Sequence, residues 1–487
     1  MNRYVKPLVL GVVDAFAVYG LVALAGQRSW WAFAAMLAGT LAINVIYLGK
    51  RRVPAKYLAP GVVLLLLYQV YVVLYTGYAA FTNYGDGHNG TKQDAVAAIL
   101  AASEVRVPGS PVQPVRIVER DGELGFLVSG RVGSATRPLI PGAAPDGWRP
   151  LTYAEVVARQ AEITALRVPV PGQGSLRTSD AVTVATYRST LRYDERAGTV
   201  TDPAGTGTVY RDDGRGRFVA PDGRALSPGW KVFVGLENFR TVLTDPGIRG
   251  PFLGVLGWTF AFAGLSVGLM FALGLGLALV LDRPGLRGHR AYRSLIVFPY
   301  AFPAFMAAIL WQGLLNPDHG FVNAVLLGGG HVPWLTDPWL AKLSVLAVNV
   351  WIGFPYMFLI CTGALKAIPP ALTEAAQLDG ANPWRVLRHV KLPMLLAATA
   401  PVLVATFAFT FNNFNVIYML TGGGPRDASS PVDIGSTDLL ISLVYKLAFG
   451  GSARNYGLAC AVSILIFAVI AAISLAGFRR ARRLEES

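Results

Sequence analysis

The 487-residue sequence predicts an all-α polytopic membrane protein of about eight transmembrane helices, with a small α+β extracytoplasmic domain inserted between spans 3 and 4. Composition is the first reason: 53% of the residues are hydrophobic and 15% charged, where soluble proteins carry about 25% charged residues. The mean hydropathy is +0.46. Several apolar stretches also reach the roughly 20 residues that a helix needs to cross a bilayer. These observations exclude a disordered chain and a purely soluble one.

Eight apolar segments are predicted to span the membrane, near residues 8–26, 31–49, 58–80, 252–281, 294–315, 341–366, 395–419 and 456–478. An even number of spans leaves both termini on one side. The segments on that side are basic: Arg3 with Lys6, Lys50 to Arg52 with Lys56, Arg283 to Arg293, Lys366 to Lys391, and Arg479, Arg480, Arg482 and Arg483. Because cytoplasmic loops carry an excess of Lys and Arg, we predict that both termini are cytoplasmic.

The spans divide the chain into residues 1–81 with three helices, an insert at 82–250, and residues 251–487 with five helices. The insert has no apolar run of membrane length. Turn signals predict helices at 92–103 and 153–164, and strands at 125–128, 181–187, 199–201 and 207–210. Gly235–Phe239 is predicted to begin an interfacial helix. The insert carries no chemical motif, so a solvated spacer without a partner is its alternative interpretation.

The loop after the sixth span, residues 367–393, carries a specific signal. Pro370 suits a first helical turn, and Gly380 suits the position just after a helix end. Asn382 is predicted to cap a second helix with Pro383 at its first position, and Pro393 to end it. The result is a helix, an elbow and a helix at the inner face.

This loop resembles the permease subunits of ATP-binding-cassette importers, whose motif is E-A-A, three residues, G, nine residues, then an aliphatic residue, any residue and L-P. The residues that match are Glu374, Ala375, Ala376, Gly380, Val390, Leu392 and Pro393. The resemblance implies a coupling helix that docks in a cleft of a separate ATPase. The alternative is an amphipathic loop lying on the bilayer.

Eight spans, the large insert after the third, and the stretch Phe407–Pro425 are similar to the larger permease subunits of maltose/maltodextrin importers. The resemblance implies a bacterial inner or plasma membrane protein that moves such oligosaccharides inward by alternating access. It implies as partners a second permease subunit, two ATPase subunits, an extracytoplasmic sugar-binding protein and membrane lipid. This chain would bind no cofactor, since ATP and Mg would lie on the ATPases. A permease for another disaccharide such as trehalose, and an ion-coupled secondary transporter, are the alternatives.

Polar groups recur on two apolar spans. Asn349, Gly353 and Tyr356 lie at i, i+4 and i+7 on one helical face, and Phe409 and Asn413 at i, i+4 on another. Amides and aromatic rings suit a sugar, but Asn and Gly also join helices. From the residues alone, sugar binding and helix packing are equally good explanations. The resemblance favours sugar contacts at these five positions and at Thr410, where the family has Asn.

The remaining features receive structural interpretations. Pro299 and Pro303 are predicted to kink the fifth span. Asp14 in the first span is interpreted as a neutral or paired group at a helix interface, with a proton or ion site as the alternative. No metal-ligand spacing and no G-x-x-x-x-G-K-[ST] phosphate loop occur in the sequence. We therefore expect no catalytic residues and no metal site. The net charge of +14 is interpreted as topological, without nucleic-acid binding.

Overall fold

The computed structural model describes residues 5–48, 53–139, 147–172, 174–203, 205, 207–282, 288–430, 432–451 and 454–486. Some of the basic residues used to predict orientation lie outside the described residues: Arg3, Lys50, Arg51, Arg52, Arg283, Arg287 and the side chains of Arg480, Arg482 and Arg483. The chain forms two units, Met1–Tyr78 and Ala79–Ser487.

The first unit consists of apolar helices: α1 (Val5–Gly26), α2 (Trp30–Leu48), α3 (Val53–Leu65), a π-helical turn (Leu66–Val70) and α4 (Tyr71–Ala80) up to Tyr78. The Asn44 Nδ2 atom of α2 donates a hydrogen bond of 2.7 Å to the Asp14 Oδ1 atom of α1. A polar group in a lipid-facing helix is tolerated when a neighbouring helix supplies such a partner. The predicted pairing of Asp14 at a helix interface is therefore confirmed.

The strand-containing domain begins the second unit. Its helices are α5 (Lys92–Ala102), α6 (Tyr153–Ala158) and α7 (Gln160–Ala165). Its strands are β1 (Glu104–Arg106), β2 (Gln113–Pro114), β3 (Arg116–Arg120), β4 (Glu123–Val128), β5 (Arg131–Ser134), β6 (Arg149–Pro150), β7 (Val168–Val170), β8 (Gly174–Arg177), β9 (Thr183–Ser189), β10 (Arg192–Asp194), β11 (Thr199–Thr201), β12 (Val209–Asp212) and β13 (Phe218–Val219).

These strands form three antiparallel sheets, ordered β1-β9-β8-β7 with β2 beside β9, β5-β4-β3-β6, and β10-β11-β12-β13. The last sheet and α5 share a core around Phe218 and Trp230. A second core, around Phe126 and Ile163, joins β4 to α7. Two packed cores confirm the predicted α+β character of this domain.

Most predicted elements of the domain occur within two residues of their expected positions. The helix predicted at 153–164 is instead two helices, because it breaks at Arg159, whose backbone leaves the helical region. The predicted helix after Gly235 is α8 (Glu237–Thr244), and its Asn238 Nδ2 atom donates to the carbonyls of Ala80 and Thr82 at 2.8 Å each.

The rest of the second unit is helical: α9 (Pro246–Leu281), α10 (His289–Val297), a 3₁₀ turn (Phe298–Ala301), α11 (Ala304–Leu314), a π turn (Val322–Leu326), α12 (Pro338–Ala367), α13 (Pro370–Leu378), α14 (Pro383–Val386), a π turn (Leu387–Lys391), α15 (Leu392–Phe411), α16 (Phe414–Thr421), α17 (Leu440–Phe449) and α18 (Tyr456–Glu486). Among the described residues, seven helices are long and apolar enough to cross a membrane, or eight with one bent pair. The predicted fold class is confirmed.

Helices α9 and α12 form the centre of this bundle. A Cβ atom on Gly274 would lie 2.7 Å from the backbone of Met357 and Phe358, so only glycine permits this approach. Close backbone contact through small residues is typical of membrane helix pairs. The α9–α12 pair is therefore closely packed at this point.

Two spans are broken. The fifth bends by 95° between Ala301 and Ala304, which confirms the kink predicted at Pro299 and Pro303. The seventh was predicted to be continuous over 395–419, and this is wrong: α15 ends at Phe411 and α16 starts at Phe414. The cause is Asn413, whose Oδ1 atom accepts from the Val416 amide at 3.3 Å and caps a new helix.

The loop at 367–393 has the predicted elbow. Helix α13 begins at Pro370, and Gly380 lies just beyond its end with a φ of +81°. Asn382 Oδ1 accepts from the Arg385 amide at 2.8 Å, with Pro383 at the first helical position. The prediction that Pro393 ends this helix is wrong. A π-helical turn leads directly into α15, and proline is tolerated in the first turn that follows.

Candidate functional site

A cavity of about 650 Å³ opens between α9, α12 and the two broken spans, the fifth and the seventh. It is lined by Met270, Tyr300, Phe302, Ala304, Asn349, Ile352, Gly353, Tyr356, Ala405, Thr406, Phe409, Thr410, Asn413, Asn415 and Val416. All six residues predicted to contact sugar are among them. The two helical faces inferred from the spacing of polar residues therefore meet in one cavity, as expected.

The two predicted amides are hydrogen-bonded to each other. The Asn413 Nδ2 atom donates to Asn349 Oδ1 at 2.8 Å, and Asn349 Nδ2 donates to Ser266 Oγ at 2.9 Å. Asn349 is 4% exposed and Ser266 is fully buried. Sugar binding and helix packing were alternative explanations for these asparagines. The geometry is compatible with both explanations, because the amides join three helices and also line the cavity.

Aromatic rings form the apolar part of the cavity wall. The rings of Tyr300 and Tyr356 are stacked, with centroids 6.1 Å apart and planes 18° apart. Phe409 on α15 is 76% exposed. Such exposed ring faces offer apolar surface to a ligand that enters the cavity.

The two remaining predicted residues shape the cavity rather than fill it. A Cβ atom on Gly353 would lie 2.4 Å from the Met270 Cε atom, so the glycine leaves room for that thioether tip. Thr410 lines the cavity but is only 2% exposed. It precedes the break in the seventh span, and its carbonyl accepts from the Asn413 amide at 3.1 Å.

Several lining residues were not predicted. Tyr300, Phe302 and Ala304 reach the cavity because the fifth span bends there, and a periodicity search that assumes straight helices does not reveal them. Asn415 also lines the cavity. Asn412 does not; its Nδ2 atom donates weakly to the Ala408 carbonyl at 3.4 Å.

The described residues that line the cavity include no Lys, Arg, His, Asp or Glu. A charged ligand would lose its hydration without gaining a charged partner, which is costly. The cavity suits an uncharged molecule that has both hydroxyl groups and apolar faces.

The predicted coupling residues lie on or just beyond α13. Glu374, Ala375 and Gly380 are exposed and Ala376 is half-buried. Within the described part of the chain, no hydrogen bond or ion pair engages the Glu374 carboxylate. An exposed short helix with small residues leaves its surface open for contact with another protein.

Comparison with known proteins identifies two regions. Residues 63–137 match the model described as the N-terminal part of the TM subunit in PBP-dependent ABC transporters, and residues 252–484 match the binding-protein-dependent transport system inner membrane component. A solved bacterial ABC transporter involved in alginate import has 25% identity and a TM-score of 0.44, over 51% of this chain and 84% of that chain.

Curated relatives match nearly the whole chain. The maltose/maltodextrin transport system permease protein MalF of Vibrio parahaemolyticus is 33% identical over 98% of this chain and 94% of its own length. MalF of Vibrio cholerae is 33% identical over 98% and 95%, and MalF of Escherichia coli is 32% identical over 97% and 96%. The chain is a multi-pass membrane protein that belongs to the MalF family of binding-protein-dependent ABC transport permeases.

Proposed function

We propose that this chain is the permease subunit of an ATP-driven importer that moves maltose/maltodextrin-type oligosaccharides inward by alternating access. The observation that supports this most directly is the near full-length similarity to proteins named as maltose/maltodextrin permeases. Under this proposal Asn349, Gly353, Tyr356, Phe409, Thr410 and Asn413 contact the sugar within the cavity.

The chemistry of the cavity supports a neutral saccharide. Amide groups both donate and accept hydrogen bonds, as sugar hydroxyls do, and the rings of Tyr356 and Phe409 suit the apolar faces of a pyranose. Thr410 has a shorter polar side chain than the Asn of the family, which would move the preference toward a different disaccharide or chain length.

The proposal requires partners. A second permease subunit would complete the cavity, a sugar-binding protein would deliver the ligand from outside, and two ATPase subunits would hold ATP and Mg. The basic segment Lys366–Lys391 supports a cytoplasmic position for the α13 elbow. Both termini would then be cytoplasmic and the strand-containing domain extracytoplasmic.

The function is tested by reconstituting the chain with these partners in bilayer discs and measuring ATP hydrolysis over a panel of saccharides. We expect maltose and short maltodextrins to stimulate hydrolysis in the presence of the binding protein. Stimulation by trehalose alone would assign a different substrate but would leave the importer function supported. Uptake that follows a proton or sodium gradient without ATP would refute the importer itself.

Replacing Glu374 by lysine is expected to abolish the sugar-dependent part of ATP hydrolysis and to reduce uptake more than tenfold. The exposed carboxylate lies on α13, so charge reversal changes the surface offered to the ATPase without disturbing buried contacts. Uptake and hydrolysis are measured in the same bilayer discs.

Gln377→Lys is a matched control, because Gln377 is also an exposed residue of α13 and gains a positive charge. It is expected to have a smaller effect than Glu374→Lys. Equal loss in both variants would indicate a general effect of charge, and normal coupling in Glu374→Lys would contradict the role given to this helix.

A further inference from the structure

We propose that Ser266 is a positioning residue for the saccharide site, through a directional chain of hydrogen bonds that fixes how Asn349 and Asn413 present their amides. This inference rests on the proposed function. Ser266 does not line the cavity, and it is fully buried on α9. It would therefore act on the ligand only through Asn349.

The direction of the chain is set at one end by the backbone. The Val416 amide has an N–H and can only donate, and its contact at 3.3 Å is Asn413 Oδ1. The Asn413 oxygen therefore faces Val416, and its Nδ2 group must face Asn349. Reversing this amide would place two donors against each other.

The orientation of the Asn349 amide follows in the same way. Because Asn413 Nδ2 donates at 2.8 Å, the group that meets it on Asn349 must be the oxygen Oδ1. Asn349 Nδ2 then points to Ser266 Oγ, 2.9 Å away, which accepts. Ser266 is the terminal acceptor of a chain that begins at a backbone donor and connects α16, α12 and α9.

The consequence concerns ligand recognition. Each amide uses one N–H and one oxygen lone pair inside the chain, which leaves one N–H and one lone pair for a ligand. With both orientations fixed, donors and acceptors occupy constant positions on the cavity wall before a sugar arrives. A pre-organised wall binds more tightly than one whose groups must first be ordered.

Removing the serine hydroxyl leaves a buried Asn349 N–H without its acceptor. The amide would then rotate or recruit another partner, and the positions offered to sugar hydroxyls would change. We expect Ser266→Ala to raise the saccharide concentration for half-maximal ATPase stimulation about fivefold to tenfold. The maximal rate should stay within about twofold, since the substitution touches neither the cavity wall nor α13.

The decisive test is a double-substitution comparison in the reconstituted complex. If Ser266 acts through Asn349, Ser266→Ala adds nothing to Asn349→Ala, and the double variant resembles Asn349→Ala. Ser344→Ala is the matched control, because Ser344 is also buried in the bundle, at 5% exposure, and donates to the Trp334 carbonyl at 3.1 Å. It should leave the half-maximal concentration unchanged.

Each other outcome overturns the inference. A wild-type response in Ser266→Ala, full additivity with Asn349→Ala, or a loss of maximal rate without a change in the half-maximal concentration would each contradict it. If Ser266→Ala assembles poorly, Ser266→Cys retains a weaker acceptor at the same position and should give a smaller shift in the same direction. A wild-type complex that no saccharide stimulates would instead refute the proposed function.

Discussion

Substituting Tyr356 by alanine is expected to raise the saccharide concentration for half-maximal uptake at least tenfold. The Tyr356 ring lines the cavity and is stacked on Tyr300 at 6.1 Å, so its loss removes one ring and exposes another. Burying an aromatic ring against a ligand is worth about 1.5–3 kcal/mol. Since about 1.4 kcal/mol corresponds to a tenfold change in affinity, uptake in proteoliposomes measures the effect readily.

Two further variants make this result specific. Tyr356→Phe keeps the ring and should retain most of the affinity. Phe467→Ala removes a ring that is 72% exposed on α18 and does not line the cavity, so it should leave the half-maximal concentration unchanged. Unaltered uptake in Tyr356→Ala, or equal loss in Phe467→Ala, would mean that saccharide does not bind in this cavity.

The sequence predicted the cavity wall wherever the helices are regular. Asn349, Gly353 and Tyr356 share a face because α12 is one continuous helix over 30 residues, and 3.6-residue periodicity applies to it directly. The order of spans also followed from hydropathy, and turn signals located α5 and four of the thirteen described strands of the inserted domain. These properties depend on local pattern, which a sequence contains in full.

The breaks in the helices were harder to infer. A proline pair predicts a kink but not its 95° size, which depends on how α11 packs against α16. From the sequence, Asn413 could lie inside a continuous apolar span or cap a new helix. Only its contact with the Val416 amide distinguishes these two positions. The Ser266 contact joins residues 83 positions apart and has no local signal.

Lys446→Met is expected to destabilise the chain by about 3 kcal/mol, because it leaves a buried carboxylate without its counter-charge. Asp438 is fully buried and accepts hydrogen bonds from Lys446 Nζ at 2.7 Å, Ser442 Oγ at 2.8 Å and the Gly435 amide at 2.7 Å. A Cβ atom on Gly423 would collide with this carboxylate. The pair therefore anchors the loop between α16 and α17.

Comparison with Asp438→Asn/Lys446→Met separates charge from packing. The neutral pair should recover at least half of the stability lost in Lys446→Met, measured as the thermal denaturation midpoint in detergent. If the double variant is instead less stable than Lys446→Met, the Asp438 carboxylate would stabilise the chain through its hydrogen bonds and not through its charge.

The pH dependence of stability also tests whether the Asp438 charge is the cause. Burial raises the pKa of Asp438 above its ordinary value, although the bonds from Lys446, Gly435 and Ser442 oppose this shift. Without Lys446 the folded-state pKa rises further, so the folded state binds a proton that the unfolded state releases. Stability of Lys446→Met should then increase as the pH falls from 7 toward the ordinary carboxyl range, where the wild type gains less. A deficit that stays constant with pH would contradict an uncompensated Asp438 charge as the cause.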